Sequence, residues 1–207
     1  MQKFLPGNKR KTYYPKDRSI WRTWLKDNYN SSPGIWLIYY KKHTGKQFLT
    51  YAEAVEEALC FGWIDNTMNP LDEDRYMQFF SPRKLKSSWS ALNKQRVKKL
   101  IKNKLMTRAG LLKIRIAKKN GSWTRLDDVE ALQLPDDFKK ALAKNAKALK
   151  YFEAFSRSSK KGILHRLKSA KREETRKKRI EETILLASQN LQANDPEQRK
   201  RLLNSSV

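Results

Sequence analysis

Residues 36–66 read WLIYYKKHTGKQFLTYAEAVEEALCFGWIDN, and the change of period inside this stretch sets the fold class. With Ile35 in front of it, the first part is IWLIYYKK over 35–42, a β-branched and aromatic run with the composition of a strand. HTGK then turns the chain. Thr50 and Glu53 stand at the spacing of a capping box, in which the hydroxyl accepts from the third amide and the carboxylate reaches back to the first. The helix they open, YAEAVEEALCFG, gathers Ala54, Val55, Ala58, Leu59 and Phe61 on one side, and Gly62 ends it.

The same alternation of strand and helix extends outward. Upstream, SIWRTWLKDNYNSSPG places Ile20, Trp21, Trp24 and Leu25 at helical spacing and stops at Pro33-Gly34. Downstream, NPLDEDR has turn chemistry, and RYMQFFSP over 75–82 is a second strand carrying Tyr76, Phe79 and Phe80. From residue 88 onward nearly everything reads as helix. WSALNKQRVKKLIKN should set Leu92, Val97, Leu100 and Ile101 on one face, and TRAGLLKIRIAKKNG should do the same with Leu111, Leu112, Ile114, Ile116 and Ala117. Pro135 and two aspartates suit the start of a further helix, and the tail from Asn194 should fray. The predicted fold is α+β and mostly helical. A small sheet packed by helices occupies 1–125, and a basic, all-helical module occupies 126–207, with the composition shift near 122–135 as the boundary.

Composition narrows the classes of function. In 207 residues, 39% hydrophobic content supports a packed core, and 32% charged residues demand a heavily solvated surface. The single Cys60 excludes an intrachain disulfide framework, and His43 and His165 lie too far apart for local metal spacing, so no metal or cofactor is expected. No stretch approaches the ~20 apolar residues of a membrane span, and the opening MQKFLPGNKRKTYYP has no secretory apolar run. The expectation is a soluble cytoplasmic protein without membrane insertion. The sequence does not set its oligomeric state. Charge is lopsided: residues 1–80 hold 12 Lys/Arg against 9 Asp/Glu, whereas 81–207 hold 34 against 12. Such an excess points to a polyanionic partner through phosphate contacts, or to a lysine-rich solvated surface.

Two blocks carry candidate site residues. In GWID, Trp63 and Asp65 fall in the turn after the helix, where Asp65 can receive a ligand's hydrogen bonds, pair with Arg75 or Arg83, or cap local amides. In SPRKLKSSWSALN, Arg83 precedes a helix start at Ser87, Ser88 or Ser90, and Asn93 lies one turn beyond Ser90. A cation and hydroxyls beside a helix N-terminus form an anion site. The expectation is one pocket containing Asp65, Arg83, Ser87, Ser90 and Asn93, walled by Trp63 and Trp89. The alternative is a capped helix stapled to the core by Trp89. HTGK is not a phosphate loop, because Tyr40 stands where the earlier glycine belongs. Cys60 reads as a small buried hydrophobe, with His43 the one base available to it, and Glu56 and Glu57 read as solvated. AKREETRKKRIEE reads as an exposed, ion-paired helix face, or as a phosphate-contacting one through Arg172, Arg176 and Arg179.

Three blocks together resemble the YdeI/OmpD-associated family, known as bacteriocin-protection proteins. They are WLIYYKKHTGKQFLTYAEAVEEALCFGWIDN; YMQFFSPRKLKSSWSALNKQRVKKL with MTRAGLLKIRIAKKNGSW; and LPDDFKKALAKNAKALKYFEAFSRSSKKGILHRLKSAKREETRKKRIEETI. The third resembles the family's C-terminal helical module. The resemblance names a phenotype rather than a reaction. Its expected roles are capture of an anionic small molecule or nucleic acid in stress protection, chemistry on a phosphorylated or carboxylated small molecule, or adaptor contacts with a protein partner.

Overall fold

The computed structural model describes residues 3–4, 11–46 and 49–204. The chain divides into two compact units, Met1–Arg125 and Leu126–Val207.

The N-terminal unit is built on a mixed sheet of β1 (Lys3–Phe4), β2 (Lys11–Tyr13), β3 (Ile35–Tyr40), β4 (Trp63–Pro70) and β5 (Arg75–Pro82), ordered β1-β2-β3-β5-β4. β2 and β3 are parallel, and the other neighbours are antiparallel. A parallel pair needs a crossover, which helix α1 (Arg18–Asn28) supplies. Along β3 the side chains alternate as a strand requires. Ile35, Leu37 and Tyr39 enter the main core, while Trp36 and Ile38 join Met77 and Phe79 on the opposite face.

Helix α2 (Tyr51–Cys60) lies at the centre of that core, opened by the Thr50–Glu53 capping box. Ala54, Val55, Ala58 and Leu59 are buried beside Trp21 and Leu25 of α1, and the Trp21 indole donates to the Ala54 carbonyl at 3.1 Å. Glu57 is not solvated. It is 2% exposed and is gripped by Arg18 Nε and Arg22, each at 2.6 Å, since a carboxylate leaves water only when its lone pairs are met. The partners lie on α1, so no local spacing signals them.

Helices α3 (Ala91–Lys102) and α4 (Arg108–Lys119) complete the unit. Each buries a narrower stripe than its sequence suggests: Asn93, Val97 and Leu100 on α3, and Gly110, Ile114 and Ala117 on α4. Leu92, Ile101, Leu111 and Leu112 are exposed. Both the amide and the hydroxyl of Thr107 donate to the Cys60 carbonyl, at 3.1 and 2.7 Å, which anchors the start of α4 to the end of α2.

The C-terminal unit is helical: α5 (Asp127–Glu130), α6 (Asp136–Ala143), α7 (Ala146–Ala154), α8 (Arg157–Lys168), α9 (Glu173–Ser188) and α10 (Pro196–Asn204). Its own core contains Phe138, Leu142, Phe152, Ile163, Leu167 and Leu186. Asn145 and Ser156 cap α7 and α8. Fraying was expected from Asn194, and the described part of that tail is helical over Pro196–Asn204. Pro196 begins α10, and the Asp195 carboxylate accepts from the Glu197 amide at 2.9 Å.

Candidate functional site

The GWID and SPRKLKSSWSALN blocks meet because β4 and β5 pair: Trp63 lies opposite Pro82, Asp65 lies opposite Phe80, and the Arg83 amide donates to the Gly62 carbonyl at 2.9 Å. Residues after Gly62 form a strand, not a turn. Trp63 points into the core, 1% exposed, with its indole N–H on the Tyr29 carbonyl at 3.0 Å and its ring edge-on to Trp24. It walls no hollow with Trp89. Asp65 accepts from the Tyr51 hydroxyl at 2.6 Å. Burial and that carboxylate push the Tyr51 hydroxyl far above its ordinary pKa.

Arg83 is 4% exposed, and its guanidinium lies 3.8 Å from the centroid of the Trp89 ring. One terminal nitrogen donates to the Ser88 carbonyl at 2.9 Å and to the Ser87 hydroxyl at 3.3 Å, which closes the turn before α3. Its Nε, like the Trp89 indole N–H, is buried without a partner. Burial lowers the guanidinium to about 10, against the opposing pull of Asp65, so the group stays cationic at neutral pH. Ser90 caps α3 by accepting from the Asn93 amide at 3.3 Å, and Asn93 Oδ1 accepts from Arg96 at 2.9 Å. The structure therefore brings Arg83, Ser87 and Trp89 into contact, holds Asp65 within electrostatic reach, and places Ser90 and Asn93 in the adjoining cap.

The other candidates are accounted for by their partners. Cys60 is fully buried, and its thiol is pushed up to about 11 by burial and by Glu57, while His43 bonds Asp74 at 3.1 Å on the surface. The pair is not a nucleophile and its base. Among the described residues, no cluster of three or more His, Cys, Asp or Glu could hold a metal ion. On α9, Arg176 makes a two-pronged contact with Asp137 and also reaches the Leu167 carbonyl. Arg179 is tied to the Arg166 carbonyl and the Ser169 hydroxyl. Two of the three arginines expected to contact phosphate are thus held by neighbouring helices. Arg172 is exposed.

A different feature emerges in the N-terminal unit. Between Asp74 and Asp127 the chain contains no acidic residue, and 81–125 alone contain 15 Lys/Arg. Because α3 and α4 bury narrow stripes, these cations lie outward: Lys98, Lys99 and Lys102 on α3 and Arg115, Lys118 and Lys119 on α4 are exposed. Trp123 sits between Lys94 and Lys118, whose ammonium groups lie 5.5 and 5.6 Å from its ring. The acid-free run is legible in the sequence, but a net charge taken over 81–207 averages it with the acidic residues of the C-terminal unit.

Residues 131–190 match the family described as Bacteriocin-protection, YdeI or OmpD-Associated. The matched segment lies within the C-terminal unit. Residues 13–113 match a different family, a domain of unknown function (DUF8412), so GWID and the Arg83 block fall outside the bacteriocin-protection match. Comparison with curated proteins and with solved structures found no match. Among the described residues, no helix is long and apolar enough to cross a membrane.

Proposed function

We propose that this protein binds nucleic acid through its N-terminal unit, using the exposed cations of α3, α4 and the loops beside them to contact backbone phosphates. One observation carries the reading: residues 81–125 hold 15 Lys/Arg and no Asp/Glu, and all of these cations but the buried Arg83 are at least partly exposed. Ion-paired surfaces are self-neutralised, as Asp128 is by Lys168. A stretch without carboxylates has no such local compensation, so its field reaches outward to polyanions. The exposed apolar residues of these helices, Leu92, Ile101, Leu111 and Leu112, do not recur at the three- and four-residue spacing of an amphipathic face, which favours phosphate over a lipid surface. The protective role in the name of the family matched by the C-terminal unit would be the setting in which this binding acts.

The test is the salt dependence of affinity. Each phosphate neutralised contributes roughly 0.7 to 0.9 to the slope of log affinity against log salt. Engaging about six to ten phosphates predicts a loss of about 10³ to 10⁵ between 50 and 200 mM salt. A shallow slope, or no retention on DNA and RNA at low salt, would remove the proposal.

A further inference from the structure

A hollow of about 470 Å³ opens in the N-terminal unit where the start of α4 faces the GWID segment. Its volume lies within the roughly 300–1,000 Å³ of pockets that hold small molecules. Tyr29, Phe61 and Trp63 give its lining an aromatic part, with Phe61 and Trp63 almost wholly buried behind Tyr29's exposed ring, and Leu112 joins the lining from α4. Tyr29 and Leu112 are 36% and 50% exposed, so apolar surface is available to an incoming ring.

The aromatic side is braced from behind. The Arg22 guanidinium lies 5.4 Å from the Phe61 ring, itself anchored by Glu57 and by the Leu105 carbonyl. Trp63 ties the Tyr29 backbone through its indole N–H. Gly62 adopts φ +75, and a Cβ there would come within 2.7 Å of Lys113 Cγ, so the bare backbone lets the Lys113 stem lie across the floor. Two cations border the space, Arg108 and Lys113. Neither enters an ion pair among the described residues, and no carboxylate lines the hollow. Arg108 also belongs to the first turn of α4, whose amides add a positive partial charge. The exposed side-chain amide of Asn30 makes no hydrogen bond among the described residues and can read the edge of a base.

A planar ring against aromatic walls, an amide at its edge and two free cations for an attached anion describe a nucleotide. We infer that this hollow receives one unstacked nucleotide, with the base against Tyr29 and Leu112 and the phosphate on Arg108 and Lys113, so that the protein prefers single strands to duplex. This rests on the nucleic-acid reading above. Stacking platforms of this kind serve single strands because a base inside a duplex presents no free face.

The experiment compares the full chain binding a 12-nucleotide single strand, its duplex and adenosine monophosphate at one salt concentration, by fluorescence anisotropy and tryptophan quenching. Tyr29→Ala should lower single-strand affinity roughly 5- to 150-fold, the range for removing one base–aromatic stack, and leave duplex affinity nearly unchanged. Tyr29→Phe should restore it. If Tyr29→Ala lowers the melting temperature, Asn30→Ala at the exposed rim, which changes no charge, supplies the same comparison. Equal affinity for single strand and duplex, indifferent to Tyr29 and Asn30, overturns the pocket and leaves the phosphate-binding face standing. Tyr29-dependent binding of the mononucleotide without binding of either oligonucleotide supports the pocket and overturns the face. Binding of none of the three overturns both.

Discussion

At the scale of single residues, Arg83 is the group whose chemistry the sequence suggests and whose geometry redirects it. A buried guanidinium is costly unless its donors find acceptors. Here one terminal nitrogen closes the 84–88 turn, the plane lies on Trp89, and Nε has no accessible surface and no acceptor. That arrangement makes Arg83 a strut for the entry to α3, with its charge held by stacking and by the field of Asp65. Arg83→Ala is expected to lower stability by about 1.5–3 kcal/mol, the range for a hydrogen bond to a charged group, as read by urea denaturation. Arg83→Lys should recover little of it, because an ammonium cannot stack as a plane on the Trp89 ring. Inorganic phosphate should stabilise wild type and Arg83→Ala alike. A phosphate-dependent rise in melting temperature that disappears in Arg83→Ala would instead make this a ligand site.

At the scale of elements, what could be read from the sequence follows what each element depends on. β3 and β5 are visible in IWLIYY and RYMQFFSP because their β-branched and aromatic residues are buried on both sheet faces. α2 is visible because its capping box is local. β4 was not, since WIDNTMNP reads as a loop, with asparagines, a proline and little strand propensity. Its strand is imposed by pairing with β5, its polar half faces solvent, and Pro70 is tolerated at the end of an edge strand. The direction of Trp63 follows from that missed strand, so the expected indole wall went with it. The docking of α4 was equally hidden. Gly110 lies so close to α2 that a Cβ would sit 2.3 Å from the Cys60 carbonyl oxygen. Gly110→Ala poses two opposed effects: alanine favours the helix by about 1 kcal/mol, while the forced separation of α4 from α2 costs about 1–3 kcal/mol. The clash is with backbone, which cannot swing aside as a side chain can, so net destabilisation is expected by thermal or urea unfolding. A more stable Gly110→Ala protein would mean that α4 does not pack this tightly.

At the scale of the whole molecule, the charge separates along the chain as the two units do. Met1–Arg125 holds 27 Lys/Arg against 9 Asp/Glu, a net of +18, and Leu126–Val207 holds 19 against 12, a net of +7. In the C-terminal unit, cations such as Arg166, Lys168 and Arg176 are matched to Glu182, Asp128 and Asp137, and such pairs leave few charges to release counterions from a polyanion. The segment that matches the bacteriocin-protection family and the larger share of the net charge therefore belong to different parts of the protein. Placing the nucleic-acid contact in the N-terminal unit can be checked by removing equal charge from each. Replacing Lys98, Lys99 and Lys102 together by Gln should reduce the salt slope by about 2 to 3, at roughly 0.7 to 0.9 for each phosphate no longer engaged. Replacing Arg172, Lys177 and Lys178 by Gln removes the same three charges and should leave the slope within error. All six are exposed, so neither set should disturb folding. If the second set moves the slope as far as the first, the protein responds to total charge and no particular face is the contact; if only the second does, the contact lies on α9.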